Sequence, residues 1–234
     1  SVFVALVNVF LLNADFNKIY AQEAEKNALR IATEYVKTMD GEIYFDIKAT
    51  ARVKKQNMVV PKIELTVSNE VGDEEFELGK GITNMDGEYK LVLKSLNEIR
   101  PDSSGTFNVV VSFKGNDQFE EASESISFKD AIIKAKMITN DSTHFVSAIL
   151  TDASSGSPIT EQALQVRVQR LFRSLSIGED SYNTDQDGTV LVPVEEGIPG
   201  VDGNLTFEVV LEDSDDYGTV KALVHAPIGV PVVN

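Results

Sequence analysis

The second half of this chain repeats the first, strand for strand, at an offset of about a hundred residues. Residues 29–53, LRIATEYVKTMDGEIYFDIKATARV, read as two strands around the turn Met39-Asp40-Gly41. Residues 132–152, IIKAKMITNDSTHFVSAILTD, read the same way around Asn140-Asp141-Ser142, with Phe145 expected where Phe45 falls. KIELTVSN (62–69) returns as ALQVRVQR (163–170), ITNMDGEYKLVL (82–93) as YNTDQDGTVLVPV (182–194), and GTFNVVVSF (105–113) as GNLTFEVVL (203–211). Solenoid repeats recur every twenty to fifty residues, so a period this long means a duplicated domain.

Within each copy the apolar residues alternate. Ile43, Phe45, Ile47, Ala49, Ala51 and Val53 occupy every second position, as do Phe107, Val109, Val111 and Phe113 and their counterparts Phe207, Val209 and Leu211. That is the period of a sheet with one buried face. Turn signals such as Gly72-Asp73, Asp86-Gly87, Ser104-Gly105, Asp187-Gly188 and Asp202-Gly203 separate the runs. No convincing helical period interrupts them. The expected fold is all-β: two tandem immunoglobulin-like β-sandwiches with a short apolar N-terminal segment. The expected division is an N-terminal segment and tether at 1–28, copies at 29–129 and 130–228, and a C-terminal tail at 229–234. Only Lys129-Asp130 joins the copies, so they should sit nearly rigidly end to end.

A copy of roughly a hundred residues buries enough core to fold without disulfide or metal staples. There is no cysteine, which removes thiol catalysis and thiolate metal sites. The 37 acidic residues outweigh 21 basic ones, and the net charge of −16 disfavours nucleic acid and anionic lipid as partners.

SVFVALVNVFLL (1–12) is apolar except for Asn8 and ends at Asn13-Ala14-Asp15. Membrane-spanning helices need about 20 apolar residues, so the run is too short to span. Three readings fit it. It is an export segment with Ile19-Tyr20-Ala21 as the cleavage site, a strand given to a neighbour's sheet edge, or a helix within a larger membrane assembly. Each places the protein outside the cytoplasm.

Thr83-Asn84-Met85-Asp86-Gly87 and Thr184-Asp185-Gln186-Asp187-Gly188 resemble the T-x-x-x-G turn of bacterial immunoglobulin-like domains, and FNVVVSFKGNDQFEEA (107–122) resembles their exit strand. RLFRSLSIGEDSYNTDQDGTV (170–190) and IPGVDGNLTFEVVLEDSDDYGTV (198–220) are similar to a family of exported proteins of flavobacteria and their relatives. The resemblance implies export and tandem sandwiches, and it brings no catalytic residues.

Four candidate sites follow. Asn183, Asp185 and Asp187, with Gly188 sixth, match the first half of a calcium loop, but Val194 stands where the bidentate Glu belongs; a plain polar turn explains them as well. His144 and His225 have no nucleophile motif nearby, so a serine triad is not expected. Arg167, Arg170 and Arg173 with Leu171, Phe172, Leu175 and Ile177 make the one basic and apolar patch, where the first copy has EVGDEEFELGKG (70–81). Arginine among aromatic and aliphatic side chains is interface composition; the alternative is an edge strand packed on its own sandwich. Ser142, in Asp141-Ser142-Thr143, is a candidate O-glycan acceptor, and Asn140 and Asn204 head N-glycan sequons.

These features describe an exported, non-enzymatic cell-envelope protein: a rigid spacer that assembles with itself or with a protein partner, with no cofactor unless calcium. Two other readings remain: an accessory subunit of a bacterial membrane complex anchored by residues 1–12, and a carbohydrate-binding module.

Overall fold

The computed structural model describes residues 26–39 and 41–232. The apolar run 1–12, the cleavage motif and Asp40 of the first turn lie outside the described residues.

The alternating runs form strands. The first copy contributes β1 (Leu29–Thr38), β2 (Ile43–Val53), β3 (Gln56–Val59), β4 (Glu64–Val71), β5 (Glu74–Ile82), β6 (Glu88–Leu93), β7 (Phe107–Phe113) and β8 (Ala122–Phe128). The second contributes β9 (Ala131–Asn140), β10 (Thr143–Asp152), β11 (Ala163–Val168), β12 (Leu175–Ser176), β13 (Tyr182–Asn183), β14 (Thr189–Val194), β15 (Pro199–Val201), β16 (Leu205–Ser214), β17 (Gly218–Ala226) and β18 (Val230–Val232). The only helical element described is a 3₁₀ turn at Leu96–Glu98.

Each copy buries its own core. In the first, Phe45, Ile47, Leu65, Val67, Val109 and Val111 are buried, and Tyr35 stacks on Phe128 at 3.8 Å between ring centroids. The second is aliphatic around one ring, with Val146, Leu150, Leu164, Val166 and Val168 closing on Phe207. Each such side chain contributes about 1.5–3 kcal/mol of burial. Two β-sandwiches of immunoglobulin-like type result, built as the alternation predicts.

The sandwiches share a sheet. Its order is β12-β11-β16-β17-β1-β2-β3, with β13 also on β11 and β6 also on β2. The flanking sheets are β5-β4-β7-β8 and β14-β10-β9. At the seam β1 and β17 run parallel, pairing Val36 with Thr219, Lys37 with Val220 and Thr38 with Lys221. Core-facing Tyr35 and the next residue on its side, Lys37, thus share a side with core-facing Val220. Paired residues point the same way, so both flanking sheets lie on one side of the shared sheet.

Side chains close the seam. Lys37 Nζ lies 2.5 Å from Asp130 Oδ1 and donates to the Ala131 carbonyl at 3.1 Å. Thr219 Oγ1 donates to Glu34 Oε1 at 2.5 Å while accepting the Asp213 N–H at 3.0 Å. The Lys129 N–H donates to the Asp216 carbonyl at 2.7 Å, and Met39 packs on the second core. Burial, and then the Asp130 carboxylate, push the Tyr35 phenol up from its ordinary pKa, so it stays neutral.

The repeat holds with one correction. The Ala49 N–H donates to the Gly87 carbonyl, and the Val60 N–H to the Ala49 carbonyl; Leu150, Gly188 and Ile159 make the same pair of bonds. Gly87 therefore matches Gly188, as expected. The same frame matches Phe45 with Val146, not with Phe145. Across the first hairpin Tyr35 pairs with Phe45, and across the second Met137 pairs with Val146. The second turn is one residue shorter, and a one-residue change moves a side chain to the opposite face. Phe45 is fully buried, whereas Phe145 lies on the outer face. A second departure is at 229–234, expected as a tail: Val230–Val232 pairs in parallel with β15.

Gly218 lies against the backbone of β1 at the seam. Its φ is +63°, and an added Cβ would sit 2.8 Å from the Tyr35 carbonyl oxygen. Gly218→Ala is expected to cost about 1–3 kcal/mol by combining left-handed strain with a backbone clash. An unchanged urea midpoint would show that the seam contributes nothing to stability.

Candidate partner-binding surface

The Arg-rich patch breaks into three places. Arg167 sits on the outer face of β11, its Nη2 3.5 Å from Glu212 Oε1 and its Nε 3.2 Å from Glu208 Oε2, the latter without hydrogen-bond alignment. It is neutralised there and stands apart from the others. Ile177 turns inward, 3 % exposed, and its N–H donates to the Val166 carbonyl. Between them the chain leaves the sheet as a loop. Arg170 Nη2 donates to the Pro199 carbonyl at 2.8 Å, and the Gln169 N–H donates to the Thr206 carbonyl. Leu171 and Phe172 at the tip are 91 % and 96 % exposed, Arg173 is exposed, and Leu175 is 47 % exposed.

The local cause is a broken edge. In the first copy, β5 runs as one strand beside β4, with a bulge at Val67/Ser68, whereas β11 is flanked by the two short strands β12 and β13. Gly178, at φ +69°, lies in the break, where a Cβ would meet the Tyr182 hydroxyl at 1.9 Å. Ile177 thus packs on its own sandwich, as the edge-strand alternative expects, and the tip does not.

The loop lies at the pole away from the seam. β17 meets β1 at its start, Thr219–Lys221, while its end, Ala226, pairs with Leu205 at the start of β16. The loop follows Val168, which pairs with Phe207. Gathered at that pole are β15 and β18, with Val201, Val230 and Val232 exposed. Sequence reasoning missed these three. The alternation in Val230-Pro231-Val232 was the available signal, masked by its place near the chain end.

The calcium candidates form a hydrogen-bonded turn. Asp185 Oδ1 accepts the N–H groups of Asp187 (2.9 Å) and Thr189 (2.8 Å). Asn84 Oδ1 does the same for Asp86 and Glu88 in the first copy. Thr184 and Thr83 brace the turns by accepting the N–H groups of Gln162 and Ile63. Asn183 is in β13, paired with Ala163. Among the described residues no three acidic or histidine side chains are grouped to hold a metal. The same capping closes the turns at Asp102 and Asp152. The Ser104 hydroxyl leads the hydrogen bonds that hold the Asp102 carboxyl at about 2, and the Ser154 hydroxyl leads those that lower Asp152.

His144 and His225 each meet a threonine on a paired strand, Thr139 and Thr206, at 2.9 Å through Nδ1. Ser142 is exposed at the tip of the β9–β10 hairpin, in a two-residue turn with φ +45° at Asp141 and +69° at Ser142. No helix among the described residues is long and apolar enough to cross a membrane.

No family model and no curated protein matches the chain. Among solved structures it is similar to the D0-D1 domain of intimin, at 16% identity over 84% of this chain and 96% of that one, with a TM-score of 0.30. It is also similar to the tetra-tandem repeat in the extending region of a large adhesion protein, at 13% identity over 86% of this chain and 48% of that one, TM-score 0.30. A third similar structure holds three N-terminal domains of the outer capsid protein Hoc of bacteriophage RB49, at 14% identity over 89% of this chain and 71% of that one, TM-score 0.31. Likeness at these scores assigns neither a family nor a partner.

If the turn is plain, Asp185→Asn should leave the melting temperature unchanged, since Asn84 performs the role in the first copy, and Asp185→Ala should cost about 1 kcal/mol. Calcium or a chelator should leave the wild-type melting curve in place; a calcium-dependent rise would overturn the plain-turn reading.

Proposed function

We propose that this chain is a non-enzymatic, exported cell-envelope protein, a stiff spacer of two modules (29–129 and 130–228) that meets a partner protein through the β11–β12 loop. The observation that carries this reading is the exposure of Leu171 and Phe172 beside Arg173, on a loop whose base is tied to Pro199. Two large apolar side chains held out in water lose about 25 cal/mol per Å² until something covers them. Aromatic and arginine side chains are the usual anchors of such contacts. The seam supports the spacer role, because a shared sheet transmits load between modules better than a flexible linker does. Ser142 remains a proposed glycan acceptor in this setting.

The test is a photo-crosslinking amino acid placed at position 172 in the native host, with Ser103, also exposed, as the control position. A discrete adduct at 172 that weakens when Arg170→Glu is added, with the melting temperature unchanged, is the expected result. Equal labelling at 172 and 103 would reduce the protein to a passive spacer.

A further inference from the structure

The outer face of β9-β10-β14 is unlike the face it repeats. In β10, Val146, Ala148 and Leu150 enter the core, so Phe145, Ser147 and Ile149 point outward. Phe145 lies between Ile138 of β9 and Pro193 of β14, Ser147 between Lys136 and Leu191, and Ile149 between Lys134 and Thr189. In the first copy the matching rows are Tyr44 between Val36 and Val92, Asp46 between Glu34 and Lys90, and Lys48 between Ala32 and Glu88.

On the first-copy face both lysines are already held. Lys48 Nζ is 3.0 Å from Glu88, and Lys90 Nζ is 2.6 Å from Glu42 and 3.7 Å from the centre of the Tyr44 ring. In the second copy those partners are gone: Ser147 replaces Asp46, Ile149 replaces Lys48, Leu191 replaces Lys90 and Thr189 replaces Glu88. Lys136 stands where Glu34 would be. No acid remains in these three rows, and among the described residues neither Lys134 nor Lys136 makes a salt bridge. Ile149 and Leu191 are 40 % and 51 % exposed. An apolar strip flanked by unpaired lysines, on a chain of net charge −16, has the composition of an interface.

The complement must carry acids and some apolar surface. This chain presents one, on the opposite side of the shared sheet. Both flanking sheets lie on one side of it, so the outer face of β1-β2-β6 looks the other way. That face carries Asp46 and Glu88 with Tyr44 and Val92; its lysines, Lys48 and Lys90, are held by Glu88 and Glu42, and it borders an open cleft of about 530 Å³ lined by Glu34, Asp46, Glu88, Glu212 and Asp213 against Lys48 alone. We propose that the outer face of β9-β10-β14 docks on the acidic outer face of β1-β2-β6 of a second copy, joining copies head to tail. The contact is heterologous, so each docked copy leaves one face of each kind open and the assembly extends. Three strands spaced about 4.8 Å apart make a small contact, below the roughly 800 Å² per partner of a stable complex, so the association is weak. This goes beyond the spacer reading and does not rest on the β11–β12 loop.

Sedimentation velocity of the full chain from about 5 to 500 μM spans the range expected of so small a contact. The average mass of the wild type should rise with concentration. Restoring the first-copy residues by Ser147→Asp, Ile149→Lys and Leu191→Lys should weaken association at least about tenfold with an unchanged melting curve, because all three point outward. Chains carrying Lys134→Glu with Lys136→Glu, and chains carrying Asp46→Lys with Glu88→Lys, should each fail to associate alone and regain association when mixed. Phe172→Asp should leave self-association as it is. A wild type that stays monomeric, a triple variant that associates normally, or a charge-reversed mixture that does not recover would each overturn the proposal.

Discussion

The parallel ladder between β1 and β17 is the constraint on which the rest of the arrangement depends. Without it, two sandwiches joined by Lys129-Asp130 would each have a complete core and an undefined angle between them. The ladder makes one sheet of two, and Lys37, Thr219 and Met39 hold it from both sides. Lys37 and Asp130 are mostly buried, at 12 % and 24 % side-chain exposure. A pair this sheltered specifies geometry more than it stabilises, because desolvation offsets much of its attraction. Its register also decides which faces of the two copies look the same way.

That geometry separates the candidate surfaces. The β11–β12 loop is at the far pole, where motion of the tip does not disturb the seam. The cleft and the first-copy acidic face are on one side, and the apolar face of β9-β10-β14 is on the other. A duplicated fold begins with two equivalent faces. The two now differ at Asp46/Ser147, Lys48/Ile149 and Lys90/Leu191, none of which enters a core, so both sandwiches keep their packing while their surfaces diverge.

Local pattern carried most of the fold. Period-two alternation marked β2, β7 and β16, and the paired T-x-x-x-G turns fixed the match of Gly87 to Gly188. What remained hidden depends on contacts distant in sequence. Val36 and Thr219 are about 180 residues apart, and no local periodicity marks a parallel pairing over that span. The match of Phe45 to Phe145 went wrong because residue type was read where turn length decides the face. For the Arg-rich patch, composition marked the segment, but could not tell that only its tip is exposed, that Arg167 is neutralised by Glu208 and Glu212 or that Ile177 is core. Exposure is a property of the folded surface, and one strand's sequence holds only half of it.

The seam also has a consequence in time. During synthesis β1 leaves the ribosome long before β17 exists. The first sandwich can close its core while the free side of β1 still offers unpaired N–H and C=O groups to any strand nearby. Long-range pairings of this kind form late, after the loop entropy has been met. Throughout that interval the Val36–Thr38 end of β1 is an open sheet margin on an otherwise finished module, and the last long strand of the second copy is what covers it. A chain stopped before Gly218 would keep that margin open permanently, as a folded first module with a standing invitation to intermolecular β-pairing.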